Sequence, residues 1–368
     1  MNILKKNKLF IILYSILIII GLIIIIFSFN NYKYYDKDIA KIVSVNDEYV
    51  STNTVSFGYE DKKYSQEIEA ILLNGEYKDE KIMITNYYYK GETYGQRYNV
   101  NDEVFVSLNV RNEEIVNSHI EGYKRDKYIV ILLVSFVLVI VLVGKLKGFL
   151  SFISLLINIV LFCVIAFLDG KYFNLIVYSF IGSIIFSIIC LSLVSGFNKK
   201  TLAAIISTIC GISLVSLIAY VVIYFTKYEG VRVEQMELLT RPFQNVLMAE
   251  IILGGLGAIM DVSISIASSM EELINKNNRI SIKNLKRSCK NIGKDIMGTM
   301  INVLFFTYIC SGIANLVIYF RNGIELKHLI HEYISLELTR ALTGAIGITI
   351  SIPIAIYVSL FIFKRRIK

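Results

Sequence analysis

The chain has 368 residues, 55% of them hydrophobic, and a mean hydropathy of +0.59. Those values exclude an ordinary soluble domain. The net charge of +8 is uneven: residues 30–127 hold 18 acids against 13 bases, a net of −5, so the remainder carries +13 beside apolar runs, where bases act as topology signals rather than nucleic-acid contacts.

Eight apolar runs are long enough to cross a bilayer as helices: 9–29, 128–144, 149–168, 172–196, 201–225, 246–268, 296–320 and 341–363. The first follows Lys5, Lys6 and Lys8, as a signal peptide would. Leu9–Phe29 is longer than a usual signal core, and NNYKYYDKD after it offers no small-residue cleavage site, so it reads as a retained anchor.

Residues 30–127 come next, with alternating runs such as IAKIVSV, EIEAILL, EKIMITN and EVFVSLNV between turn formers. They predict a small all-β domain of OB or SH3-like type. Tyr87, Tyr88 and Tyr89 form a cluster for which packing is preferred over binding.

Lys145 and Lys147 follow the second run, Lys199 and Lys200 the fourth, Lys276 to Lys294 the sixth, and Lys364 to Lys368 the last. With eight crossings all fall on one side, so both termini are expected in the cytoplasm and 30–127 outside. Glu271–Asp295 is basic and weakly amphipathic, and is expected to lie along the membrane surface. Arg321–Arg340 reads as an interfacial or re-entrant helix.

The sixth run holds the most informative residue, Asp261, in the middle of VLMAEIILGGLGAIMDVSISIAS. A carboxylate at that depth is costly and marks a functional site by default. Helical spacing puts Glu250, Gly254, Gly257, Asp261, Ser265 and Ser268 on one face. The glycines permit close helix packing, and a plain packing seam accounts for everything except the acids. In the seventh run Asp295, Thr299 and Asn302 share a face, with Thr307, Ser311 and Asn315 further along. In the eighth, Glu337, Arg340, Gly344, Gly347 and Ser351 align, and Glu337–Arg340 is spaced for a boundary ion pair. The reading is one polar seam among three helices. Asp261, Glu250, Asp295, Thr299, Asn302 and Ser265 are its candidates for ion or proton coupling, and Gly254, Gly257, Gly344 and Gly347 for helix packing.

Walker A, GxSxG and HExxH sequences are absent, so no enzyme and no cofactor are expected. His328 and His331 are spaced for a metal pair but lack a convincing third ligand, so no metal is expected. The cysteines Cys163, Cys190, Cys210, Cys289 and Cys310 show no metal or disulfide spacing and read as apolar filler.

GGLGAIMDVSISIASSMEEL, GKDIMGTMINVLFFTY and ELTRALTGAIGITISIPIA carry a resemblance to the YibE/YibF family of bacterial membrane proteins, supported by YKRDKYIVILL and VGKLKGFLSFISLLINIVLF. The resemblance covers the chain from Tyr123 onward and, more loosely, the outer domain. It implies an N-terminal anchor, a small outer domain and a bundle of spans, but no settled activity. Many members carry two adjacent acids where this chain has Met260-Asp261. The order of an intramembrane acid, a basic connection and Thr-rich and Gly-rich spans is also similar in pattern to SecD/SecF and RND proteins.

The expectation is a polytopic α-helical protein of the bacterial plasma membrane: an anchor at 1–29, an extracytoplasmic β domain at 30–127, and a seven-helix bundle at 128–368. The leading function is an ion-coupled transporter or energy-transducing export factor. The alternative is a non-transporting assembly protein that binds partners through 30–127. Expected partners are the bilayer, anionic lipid at the basic loops, and a homo-oligomer or a hetero-oligomer with a related family member; nucleic acid is not among them.

Overall fold

The computed structural model describes residues 2–55, 59–91, 95–111, 114–168, 174–226, 243–277, 279–321, 323–330 and 334–364. Its contacts group into two units, Met1–Leu146 and Lys147–Lys368.

In the first unit, α1 (Asn2–Phe29) is followed by a 3₁₀ turn at Tyr32–Tyr34 and five strands. These are β1 (Asp38–Val55), β2 (Tyr59–Leu72), β3 (Lys81–Tyr89), β4 (Glu103–Arg111) and β5 (Glu114–Tyr123). All pairings are antiparallel, in the order β3-β2-β1-β4-β5. Alternation directs one face inward: Ile82 and Ile84 of β3 join Ile42, Ile68, Ala70, Leu72, Val104 and Val106 in a shared core. Register shifts between Ile42 and Ser44 and between Tyr49 and Ser51 mark bulges in β1, which pairs with β2 along its length and with β4 only at its start. Ser118 Oγ of β5 donates to the Met83 carbonyl of β3 at 2.9 Å, so the last strand folds back on the third. The result is a five-stranded antiparallel sheet curled into a partly open barrel, the small all-β domain expected from the alternation.

Where the core ends, the inner face continues as a row of rings. Tyr49, Tyr64 and Tyr88 are register partners, with centroids 6.0 and 5.4 Å apart. Arg97 lies over Tyr88 and pairs with Asp47 at 2.8 Å.

A buried charge cluster joins the barrel to the helix ends. The Lys124 side chain is fully buried. Its ammonium donates to the Ser28 carbonyl at 3.2 Å and to both Asp126 oxygens at 2.9 and 3.0 Å, and faces the rings of Tyr32 and Tyr35. Asp126 also accepts from Asn31 (2.8 Å) and Tyr35 (2.9 Å). Glu103 accepts from Tyr32 at 3.1 Å and pairs with Lys127 at 3.3 Å. Burial, reinforced by Glu103, pushes the Tyr32 phenol up to about 12. Nearby, Asn74 takes the Ile39 N–H at 2.7 Å and donates to the carbonyls of Tyr32 and Lys37.

The helices that follow are α2 (Asp126–Leu168), α3 (Leu175–Ser195), α4 (Lys199–Thr226), α5 (Phe243–Gly254), α6 (Leu256–Lys276), α7 (Ile282–Arg321), α8 (Leu326–Leu329) and α9 (Ser335–Phe363). Among the described residues seven helical stretches are long and apolar enough to cross a membrane, with α5 and α6 together forming one. One of the seven is α2, which breaks at Lys145 (φ 51°, ψ −131°). At about 1.5 Å per residue each side of that break is long enough for one crossing. The eight expected runs are therefore all present, two of them within α2.

One connection differs from expectation. Glu271–Lys276 finishes α6, and Ile282–Asp295 opens α7, which is unbroken to Arg321. The basic segment thus continues the membrane helices instead of forming a separate surface helix. The reason is its apolar stripe: Leu285 and Cys289 are fully buried in a cluster with α6 and α9. Among the described residues the segment after Arg321 holds the short α8, with Ile330 and Ile334 also helical, and α9 begins at Ser335, so Glu337 and Arg340 belong to the membrane helix itself. His331 lies outside the described residues.

Close backbone approach organises the bundle. A Cβ on Gly347 would come within 3.0 Å of Ile259 and Val215, and one on Gly344 within 2.8 Å of Leu304. These glycines bring α9 against α4, α6 and α7.

Candidate functional site

In the second unit, α2, α3, α5 and α6 surround a cavity of about 830 Å³, to which α7 contributes Tyr308 and α9 contributes Arg340. Its lining runs from Val246 to Met260, about 20 Å along α5 and α6. Most walls are apolar, including Phe162, Leu175, Phe186 and Leu253.

The charges at the cavity come from one turn of α9 and one of α5. Arg340 reaches Glu337, three residues earlier on α9, through Nη1 at 2.7 Å. Through Nη2 it reaches Glu250 of α5. Two carboxylates thus share one guanidinium, and the group carries a formal charge of −1. The second oxygen of Glu337 and Nε of Arg340 are buried without a hydrogen-bond partner. Tyr308 stands beside them because α5 has Gly254 there, where a Cβ would overlap the phenol oxygen.

Two more polar groups line the cavity from the opposite helices. Asn158 Oδ1 and Ser179 Oγ are buried and have no hydrogen-bond partner. The next serines along α3 close their bonds locally: Ser183 donates to the Phe180 carbonyl and Ser187 to the Ser183 carbonyl, both at 2.7 Å. Ser179 is fully buried and makes no such bond. Among the described residues Asn158 Oδ1 and Ser179 Oγ have no protein partner, and a polar occupant of the cavity can meet them.

Residues 132–365 match the YibE/F-like protein family, and residues 33–123 match the YibE/F family N-terminal domain. The chain belongs to the YibE/F family. No curated protein and no solved structure matches it. Family and helices together make it an integral membrane protein.

Within this YibE/F bundle the residues singled out from the sequence separate into groups. Glu250, Glu337 and Arg340 meet. Gly254, Gly344 and Gly347 take close contacts, whereas Gly257 has no heavy atom within 4 Å of an added Cβ and lines the cavity. Asp261 lies one turn beyond Gly257, on the exposed side of α6, with no hydrogen bond or ion pair among the described residues. Ser265 is half-buried one turn further on. Asp295, Thr299 and Asn302 are exposed on α7, and Thr299 and Asn302 donate to their own helix, to Ile296 at 2.9 Å and Gly298 at 3.0 Å. The structure does not bring them to Asp261.

Sequence reasoning missed Asn158, Ser179 and Tyr308. The serine ladder Ser179, Ser183, Ser187 was readable as a polar stripe at four-residue spacing. Asn158 was visible as an amide inside an apolar run. Nothing local marked Tyr308 among the 24 tyrosines.

Proposed function

We propose that the chain is an ion-coupled transporter or energy-transducing export factor of the bacterial plasma membrane, with Asp261 as its intramembrane ion or proton site. The observation that carries the reading is the position of Asp261: on a membrane-spanning helix, at the chain's own surface, about 6 Å along α6 from Gly257 of the cavity lining. A carboxylate there needs water, an ion or a protein partner to offset its desolvation. Gly257, with open space beside it, and Met260, the residue before Asp261, both line the cavity. The basic flanks support cytoplasmic termini, an extracytoplasmic barrel and contact with anionic lipid. The exposed polar face of α7 supports assembly with a second copy or a related family member.

The test is the carboxyl infrared band of Asp261 in reconstituted protein, with Asp261→Asn as the blank. The expected result is a band whose protonation changes when a proton or sodium gradient is imposed. A band indifferent to both gradients sinks the reading.

The barrel favours a second reading, a partner-binding envelope protein. Its motivation is the row Tyr49–Tyr64–Tyr88 with Arg97 at one end, since Tyr and Arg serve as binding hot spots. Tyr49→Ala combined with Arg97→Ala should abolish pull-down of envelope partners from cross-linked cells. Unchanged cross-links would remove this alternative.

A further inference from the structure

We propose that the cavity of the helical unit binds an organic cation with an apolar body and at least one N–H donor. The assignment deepens the transport reading, on which its role as a substrate site rests.

Size is the first argument. About 830 Å³ is in the range of sites that enclose a drug-sized molecule and far beyond the needs of a bare inorganic ion. The walls are the second: Ile159, Phe162, Leu175, Phe186, Leu253 and Met260 offer apolar and aromatic surface, including rings that attract a cation over their faces.

Charge decides the sign. Among the described residues Glu250 and Arg340 are the charged members of the lining, and Glu337 stands behind Arg340. Two carboxylates against one guanidinium leave a formal −1. An anionic headgroup would need a free guanidinium fork, but Nη1 and Nη2 of Arg340 are already held by Glu337 and Glu250. A monovalent cation neutralises the site.

Hydrogen bonding decides the rest. Among the described residues the unpartnered lining atoms are two acceptors, Asn158 Oδ1 and Ser179 Oγ, whose hydroxyl can also donate, and Nε of Arg340. A purely apolar occupant would leave them unsatisfied. An ammonium or aryl amine supplies donors to the acceptors that line the cavity, and Nε of Arg340 remains for one acceptor on the ligand.

The probe is ethidium, an aromatic cation with two amine donors, followed by fluorescence anisotropy with the purified full chain in detergent and no gradient. Saturable binding is expected. Glu250→Gln, which removes the net charge, should weaken it at least tenfold. Gly257→Leu should weaken it to a similar degree by filling the cavity, and folding should tolerate it because no neighbour lies within 4 Å. Anilinonaphthalene sulfonate, an apolar anion, should not compete. Absence of saturable ethidium binding overturns the proposal, as does binding that Gly257→Leu leaves unchanged. Equal affinity for the anion overturns the charge class. If Glu250→Gln does not fold, the Gly257→Leu and competition arms still decide. Gradient-driven ethidium uptake into proteoliposomes is a separate measurement: binding without uptake supports the site and sinks the transport reading.

Discussion

The chain buries two charge clusters, and they differ in what they leave over. Around Lys124 the bases Lys124 and Lys127 balance Glu103 and Asp126, with tyrosines closing the sides. Around Arg340, among the described residues, one base serves Glu250 and Glu337, and one flank opens on a cavity. The first is neutral and packed, which is how a fold uses buried charge to fix geometry. Both leave buried acceptors over, Asn31 Oδ1 and Glu103 Oε2 in the first and Glu337 Oε2 in the second, but among the described residues only the second keeps an excess charge, and it does so beside a cavity.

The comparison breaks most readily at the two bases. Lys124→Met strands buried carboxylates with no room for a substitute, and should cost about 3–5 kcal/mol. Arg340→Gln should cost about 2 kcal/mol, because the cavity admits water to the freed carboxylates. Unfolding of the reconstituted chain in mixed micelles measures both, and equal losses would erase the distinction.

The glycines of α5 and α6 sharpen it. Gly254→Ala drives a methyl into the Tyr308 hydroxyl and should cost about 1–2 kcal/mol. Gly257→Ala meets open space and should stabilise by up to about 1 kcal/mol through helix propensity. The same assay compares them; a loss at Gly257 would mean that its face is packed.

The smallest effect is alkaline. Tyr32 is held near 12 against an ordinary 10.0, so its contribution is present below pH 10 and is lost as pH rises through about 12. Tyr32→Phe should flatten the fall in stability between those values, read from pH-dependent unfolding. An unchanged slope would place the Tyr32 phenol in solvent.

The fold was largely legible. Strands β1 to β4 contain the four alternating runs, and the apolar runs correspond to the helices. Strand β5 was not legible, because Asn117, Ser118 and His119 interrupt its alternation and the buried member of the three is Ser118. The unity of α7 was hidden by its lysines, which mask the stripe through Leu285 and Cys289. At the site, Glu337–Arg340 followed from i, i+3 spacing, whereas the attachment of Glu250 spans 90 residues and depends on how α5 meets α9. The outward direction of Asp295, Thr299 and Asn302 depends on which face of α7 packs, and apolar residues occur on its other faces without a single stripe to choose among them.

Helices α5 and α6 are separated by one turn residue, Gly255, whose N–H meets the Ile251 carbonyl at a stretched 3.4 Å. Glu250 lies before this interruption and Asp261 after it. The Ile259 N–H closes back onto the Gly255 carbonyl at 3.1 Å, so the weakened bond lies on the α5 side of the glycine. A bend at that point would change the separation of the two acids while leaving α6 wound, using a joint that the double glycine builds into the backbone.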